Sequence, residues 1–298
     1  MIISASRRTD IPAFYSSWFM DKINRSYCYV SNPFNPRQVK RVSLKKEDVD
    51  LFAFWTKNPA PFIPHLEKLD RLGFNYYFLY TLNLYSEKIE PGLERFEKRI
   101  EVFQELSRLI GPEKVIWRYD PIIITRGMDS SYHREKFDYL SSSLKGLTRR
   151  VIFSFYSPYR SADKRLKKSG FYINFSDNRW EERKVFLNDL AKIARQKGLV
   201  IQGCAQKVLE GTGIGSGKCI DNNYIEETFG IKVSAKKDTG QRSGCNCIPS
   251  QDIGFYDTCF HGCLYCYGWG SKKRVEKNSS EHIIDSLSLA GKVNERMN

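Results

Sequence analysis

The chain has 298 residues, 41% hydrophobic and 14% aromatic, and its 48 Lys and Arg against 34 Asp and Glu give a formal charge of +14. Such a length admits one large α/β barrel or two ordinary domains, and one is expected here. No apolar run approaches the roughly 18 residues of a membrane-spanning helix, and Met1-Ile2-Ile3-Ser4-Ala5-Ser6 meets Arg7-Arg8-Thr9-Asp10 too early for a signal peptide. A cytoplasmic protein without membrane partners is expected. In that reducing compartment its 8 cysteines point to metal or redox chemistry rather than to disulfides. The charge favours phosphate-bearing partners, nucleic acid among them, although acidic residues interleave with the basic ones as on a solvated surface.

In chain order, Ile2 to Ser6 reads as a short buried strand, followed by an amphipathic helix from about Phe14 to Asn24. Tyr27 to Val30 is a second apolar stretch, ending in Ser31-Asn32-Pro33-Phe34-Asn35-Pro36, where two prolines favour an extended loop. Leu51 to Trp55 is a strand ending in Thr56-Lys57-Asn58-Pro59, with a helix following through Leu72. The pattern repeats: strand Tyr76 to Leu82 and helix Gly92 to Ile110, strand Lys114 to Tyr119 and helix Tyr132 to Lys145. Strand Val151 to Phe155 then precedes helix Trp180 to Gln196 and strand Leu199 to Gly203. Strands alternating with helices predict a parallel sheet with right-handed crossovers, here a TIM-like (β/α) barrel.

Residues 1–203 form the expected barrel body. Residues 204–298 form a cysteine-rich, cluster-binding region of the same domain. Glu210 to Cys219 lacks the P-loop spacing and is expected to be a flexible loop presenting Cys219. Asp252 to Tyr256 reads as a final strand. A last helix is expected to begin near Asn278, where Asn278 and Glu281 resemble a capping box and Ile283, Ile284, Leu287 and Ala290 mark a buried face.

Between that strand and helix lies Cys259-Phe260-His261-Gly262-Cys263-Leu264-Tyr265-Cys266, a C-x-x-x-C-x-x-C spacing. Thiolate sulfur suits both iron–sulfur clusters and zinc. Three cysteines can hold a [4Fe–4S] cube with one iron free of protein ligands. Alternatively His261, or Cys245 and Cys247, completes a zinc tetrahedron, or the thiols are simply buried. Cys204, Cys219, Cys245 and Cys247 make up a candidate auxiliary site, either a second iron–sulfur cluster or zinc, whose metal would order a loop-rich segment. Cys204 also fits a plain core strand position, and Cys28 is expected in the core.

With Tyr265 just before its last cysteine, this motif resembles the cluster signature of the radical S-adenosylmethionine (SAM) enzymes. Those enzymes place the cysteine loop after their first barrel strand, whereas here it follows the last. A circularly permuted radical SAM-type barrel reconciles the two, with Asp252 to Tyr256 acting as the first strand and Ile2 to Ser6 as the second. The chain has no Gly-Gly-Glu run. It also resembles an uncharacterised bacterial family of domain-of-unknown-function proteins through Ser6-Arg7-Arg8-Thr9-Asp10-Ile11-Pro12, Phe54-Trp55-Thr56-Lys57-Asn58-Pro59, Trp117-Arg118-Tyr119-Asp120-Pro121 and the cysteine cluster.

The resemblance implies that Cys259, Cys263 and Cys266 hold a [4Fe–4S] cluster that cleaves S-adenosylmethionine reductively to start radical chemistry on a substrate. Electrons would come from a ferredoxin or flavodoxin. Polar residues at the expected strand ends, where barrels collect reactive groups, supply the remaining candidates. Arg7, Arg8, Asp10 and Tyr265 are cofactor-binding candidates, since an Arg fork suits the SAM carboxylate and an Asp suits a ribose hydroxyl. Lys57, Arg118 and Asp120 are catalytic candidates. The alternative is a zinc- or iron–sulfur-bearing nucleic-acid-binding protein without SAM chemistry.

Overall fold

In the computed structural model, residues 1–33, 35–173, 180–206, 209–242 and 244–290 are described. Elements follow in chain order: β1 (Ile2–Ala5), α1 (Ile11–Phe14), α2 (Ser16–Arg25), β2 (Tyr27–Asn32), β3 (Asn35–Ser43) and β4 (Leu51–Thr56). A 3-10 turn, Ala60–His65, leads into α3 (Leu66–Arg71). Then come β5 (Tyr76–Thr81), α4 (Phe96–Ile110), β6 (Val115–Ile122), α5 (Ser130–Ser143), β7 (Arg150–Phe155), α6 (Arg160–Lys168) and α7 (Trp180–Gln196). The chain continues through β8 (Val200–Cys204), β9 (Gly215–Gly217), α8 (Asn222–Phe229), β10 (Gln251–Asp252) and α9 (Lys272–Ser280).

The expected α/β class holds. Eight strands form one sheet in the order β10-β1-β4-β5-β6-β7-β8-β9, and the pairings β10–β1, β1–β4, β6–β7, β7–β8 and β8–β9 are parallel. Strands β1, β5 and β7 are buried at every position, and for β1 and β7 this is as expected of parallel strands covered on both faces.

The chain divides into two compact units. One comprises Met1–Phe78, Glu90–Leu93 and Ser250–Asn298; the other comprises Leu79–Ile89 and Glu94–Pro249. In the first, Phe19, Phe52, Phe54, Phe62 and Phe78 are fully buried, and Phe54 lies 4.6 Å from Phe62 and 4.9 Å from Phe78 between ring centroids. Offset and tilted aromatic contacts of this kind add to the burial energy of the core. Cys28 is also fully buried, as expected. In the second unit the indole of Trp117 stacks on Phe137 at 5.0 Å, fastening α5 to β6.

Several local expectations are corrected. The segment following Pro33, the first of the two prolines, is not a loop: Asn35–Ser43 is strand β3, antiparallel to β2, for example Cys28 with Val42, because prolines are tolerated where a strand starts. The Gly-rich segment is not simply a loop, since Gly215–Gly217 extends the sheet as β9 beside Gln202, Gly203 and Cys204. Gly217 permits this approach: a Cβ there would lie 2.8 Å from the Cβ of Gln202. The last helix does not begin at Asn278. It starts after Ser271, whose side chain caps Arg274 N–H, and it ends at Ser280, while Ile283 and Ile284 are exposed. Asn278 instead donates to the carbonyls of Tyr256 and Asp257.

Candidate functional site

In the first unit the final strand, expected over Asp252 to Tyr256, is confined to Gln251–Asp252 as β10, because only there does the chain pair with β1. Ile3 pairs with Gln251 and Ser4 with Asp252, so the strand preceding the cysteine loop lies parallel to the strand that begins the chain. Asp252 accepts from Ser4 Oγ at 3.0 Å, Ser6 Oγ at 2.7 Å, Arg7 N–H at 2.8 Å and Gly254 N–H at 2.9 Å. A buried carboxylate with four donors is satisfied, and here it fixes the Ser6-Arg7-Arg8 turn. Gly254 is required at its position because a Cβ would fall on Ser6 Oγ. The Arg8 guanidinium lies 5.5 Å over Tyr256 and Nη1 donates to the Gly254 carbonyl, while Arg7 lies 5.0 Å over Trp55.

The loop after β10 is closed by α9, giving a strand–cysteine loop–helix unit. Cys266 N–H donates to the Cys263 carbonyl, and Gly268 N–H points to Cys266 Sγ at 3.3 Å. Gly262, at φ +63, makes the left-handed turn that brings Cys263 round, a conformation glycine adopts without steric cost. Tyr15 OH holds the Thr258 carbonyl at 2.6 Å, and burial pushes its own pKa up to about 12.

Around this loop stand two buried networks. Asp10 caps α1 through Ala13 N–H at 3.0 Å, accepts Lys57 N–H at 2.7 Å and faces His261 Nε2 at 2.8 Å. Glu90, buried to 2% exposure, accepts from Lys57 Nζ at 2.7 Å and from Tyr265 OH, and the Lys57 ammonium lies 5.5 Å over the Tyr265 ring. Burial pushes the Cys263 thiol up to about 12, with Lys57 opposing it; burial and then Asp10 hold Cys259 well above its ordinary value. Cys266 and Cys263 add smaller upward effects at Cys259, as does Cys266 at Cys263.

His261 bears on the zinc alternative. Its Nε2 is committed to Asp10 and its Nδ1 faces the Gly92 carbonyl at 3.4 Å. Both ring nitrogens thus face oxygen acceptors, an arrangement that orients the ring and leaves its use as a fourth ligand dependent on breaking the Asp10 contact.

In the second unit, Arg118 Nη2 meets Asp120 Oδ2 at 2.6 Å, Arg118 Nη1 donates to Thr81 Oγ1, and Ser154 Oγ donates to Asp120 Oδ1. Nearby, Cys219 Sγ lies 3.8 Å from Cys204 Sγ, and the Ile220 N–H donates to Cys247 Sγ at 3.5 Å. Cys204 is hydrogen-bonded to Cys219 and Cys245, and Cys247 to Cys219 and Cys245. Cys219 and Cys245 donate to Cys204 and hold it well below the ordinary thiol value, whereas Cys219 is pushed up by Cys204, Cys247 and burial. Burial alone would lower Arg242, but Cys204, Asp120 and Cys245 among its neighbours hold it above its ordinary value.

Arg7, Arg8, Asp10, Lys57 and Tyr265 are therefore brought together with Cys259, Cys263 and Cys266 in one unit, whereas Arg118 and Asp120 belong to the other with Cys204, Cys219, Cys245 and Cys247. Among the described residues, no group of three or more His, Cys, Asp or Glu side chains is already arranged around a single metal position. Two residues of the site, Glu90 and Asp252, lie outside the sequence motifs. Asp252 is signalled in the sequence by its place in the expected strand before the cysteine motif, whereas Glu90, in the turn before α4, carries no motif.

A family described as a domain of unknown function (DUF1848) matches residues 2–268. No curated protein matches the chain.

Proposed function

The chain belongs to the DUF1848 family, and from its own residues we propose that it is a radical SAM-like iron–sulfur enzyme built on a circularly permuted (β/α) barrel. The observation that carries this reading is the strand β10–cysteine loop–helix α9 unit lying parallel to β1, with three cysteines in a loop whose only histidine is held by Asp10. Cys259, Cys263 and Cys266 fit a [4Fe–4S] cluster by donor type and number. When bound, such a cluster supplies an electron to S-adenosylmethionine and so starts radical chemistry, the electron coming from a ferredoxin- or flavodoxin-class reductant.

This chain's residues supply orientation and charge. Glu90 anchors Lys57 and Tyr265 beside the cluster loop, so the Lys57 ammonium is placed to offset thiolate charge. The guanidinium groups of Arg7 and Arg8 are the cationic forks for a carboxylate, each steadied over an aromatic ring. Asp10, its oxygens shared among Ala13, Lys57 and His261, acts as a positioning residue for the loop rather than as the ribose partner.

The test is turnover. The anaerobically loaded chain with dithionite and S-adenosylmethionine should release 5′-deoxyadenosine, and Cys263→Ala should not. A loaded, iron-replete chain that leaves S-adenosylmethionine intact would count against the enzymatic reading and favour a cluster- or zinc-bearing nucleic-acid binder.

A further inference from the structure

We propose that Cys204, Cys219, Cys245 and Cys247 hold one tetrahedral thiophilic metal ion, zinc or ferrous iron, as a structural site separate from the Cys259–Cys266 loop. All four are at most 7% exposed and all four belong to the second unit. They arrive from three places: Cys204 ends β8, Cys219 follows β9, and Cys245 and Cys247 form a C-x-C pair. Their contacts close a ring, 204 to 219 to 247 to 245 and back to 204.

The one sulfur–sulfur separation along this ring is compatible with a single ion. A tetrahedron with metal–sulfur bonds of about 2.3 Å has sulfur–sulfur edges of about 3.8 Å, and the Cys204–Cys219 separation is 3.8 Å. A disulfide requires about 2.05 Å. An iron–sulfur cube interposes iron and sulfide between any two thiolates and holds them further apart. Four thiolates on a divalent ion carry a net charge of −2, which requires donors and cations. The Ile220 N–H reaches Cys247 Sγ, while Arg242 and Arg118 both act electrostatically on the Cys204 sulfur. Loading would require loss of the thiol protons and side-chain rotation.

The consequence is a clasp. Between β8 and the end of this unit the described regular structure is only β9 and α8, too little to bury a core of its own. A single ion would tie both ends of that segment to the end of β8, making metal binding part of its folding free energy.

The experiment uses the full chain carrying Cys259→Ala, Cys263→Ala and Cys266→Ala, which removes the other thiols from consideration. Purified after expression with zinc and iron supplied, it should retain about one zinc or one iron per chain with no acid-labile sulfide. Cobalt(II) titration of the metal-free chain should give the intense tetrahedral absorption and thiolate charge-transfer bands of four sulfur ligands. Cys219→Ser should weaken cobalt binding at least tenfold, whereas Cys28→Ala should not. Absence of metal together with a featureless cobalt spectrum, retention of several irons with sulfide, or a Cys204–Cys219 disulfide found by mass spectrometry would each overturn the proposal. Should the triple variant lose native circular dichroism, Cys219→Ser compared with the unsubstituted chain decides: loss of about one bound metal per chain is expected, and unchanged metal content would overturn the proposal.

Discussion

Removing Glu90 offers the sharpest probe of how the cysteine loop is supported. Its carboxylate, essentially buried, is the acceptor shared by Lys57 Nζ and Tyr265 OH, and the Lys57 side chain is only 13% exposed. Glu90→Ala leaves that ammonium without its partner. Breaking one side of a buried ion pair costs about 3–5 kcal/mol, and the partial exposure of Lys57 argues for the lower end, about 3 kcal/mol, roughly a hundredfold in the folding equilibrium. Replacing both members removes the uncompensated charge, so Lys57→Met/Glu90→Met should be less destabilised than the sum of its single variants by about 2 kcal/mol. The assay is urea denaturation of the metal-free chain followed by tryptophan emission, with the four proteins of the methionine cycle and Glu90→Ala measured side by side. A Glu90→Ala loss below about 1 kcal/mol, or additive single variants, would show that the pair is solvated and does not support the loop.

Three further outcomes follow from the geometry. Gly92→Ala should displace the cysteine loop, since a Cβ there would lie 2.5 Å from the Phe260 carbonyl oxygen and 2.8 Å from His261 Cα; iron loading should fall while far-ultraviolet circular dichroism stays native, and unchanged loading would contradict the packing. Asp252→Asn keeps the shape but cannot accept all four donors, so thermal stability should drop by about 1–3 kcal/mol, checked by calorimetry against the unsubstituted chain. His133 is buried between Tyr119 OH at 2.9 Å and the Ile123 carbonyl at 3.0 Å, and burial lowers its pKa to about 4, against smaller upward effects from Ile123 and Asp129. With the folded pKa depressed, its contribution is present above about pH 6.5 and is lost as pH falls towards 4. That is about 3 kcal/mol of acid sensitivity, which a pH series of denaturation midpoints should show and which His133→Gln should flatten.

The alternation of buried strands and amphipathic helices was legible because its periodicity is local: β4, β5, β7 and α7 fall within a residue or two of where their apolar runs place them. The pairing of the chain's two ends could be inferred too, because a cysteine loop after a strand and before a helix implies a βα unit wherever it occurs. Elements set by tertiary contact were harder to read. Strand β9 is three residues containing two glycines, held by β8 rather than by propensity, and Ile283 and Ile284 imitate a helical face that the chain leaves in solvent. Glu90 illustrates the same limit for the site: nothing near it in sequence indicates that Lys57 and Tyr265 will converge on its carboxylate.

The central claim concerns what Cys259, Cys263 and Cys266 bind, and iron and acid-labile sulfide counted on the anaerobically purified chain address it most directly. The wild-type chain should hold roughly four more irons and four more sulfides than the Cys259→Ala/Cys263→Ala/Cys266→Ala variant. A difference of a single zinc with no sulfide, or no difference at all, would contradict the account.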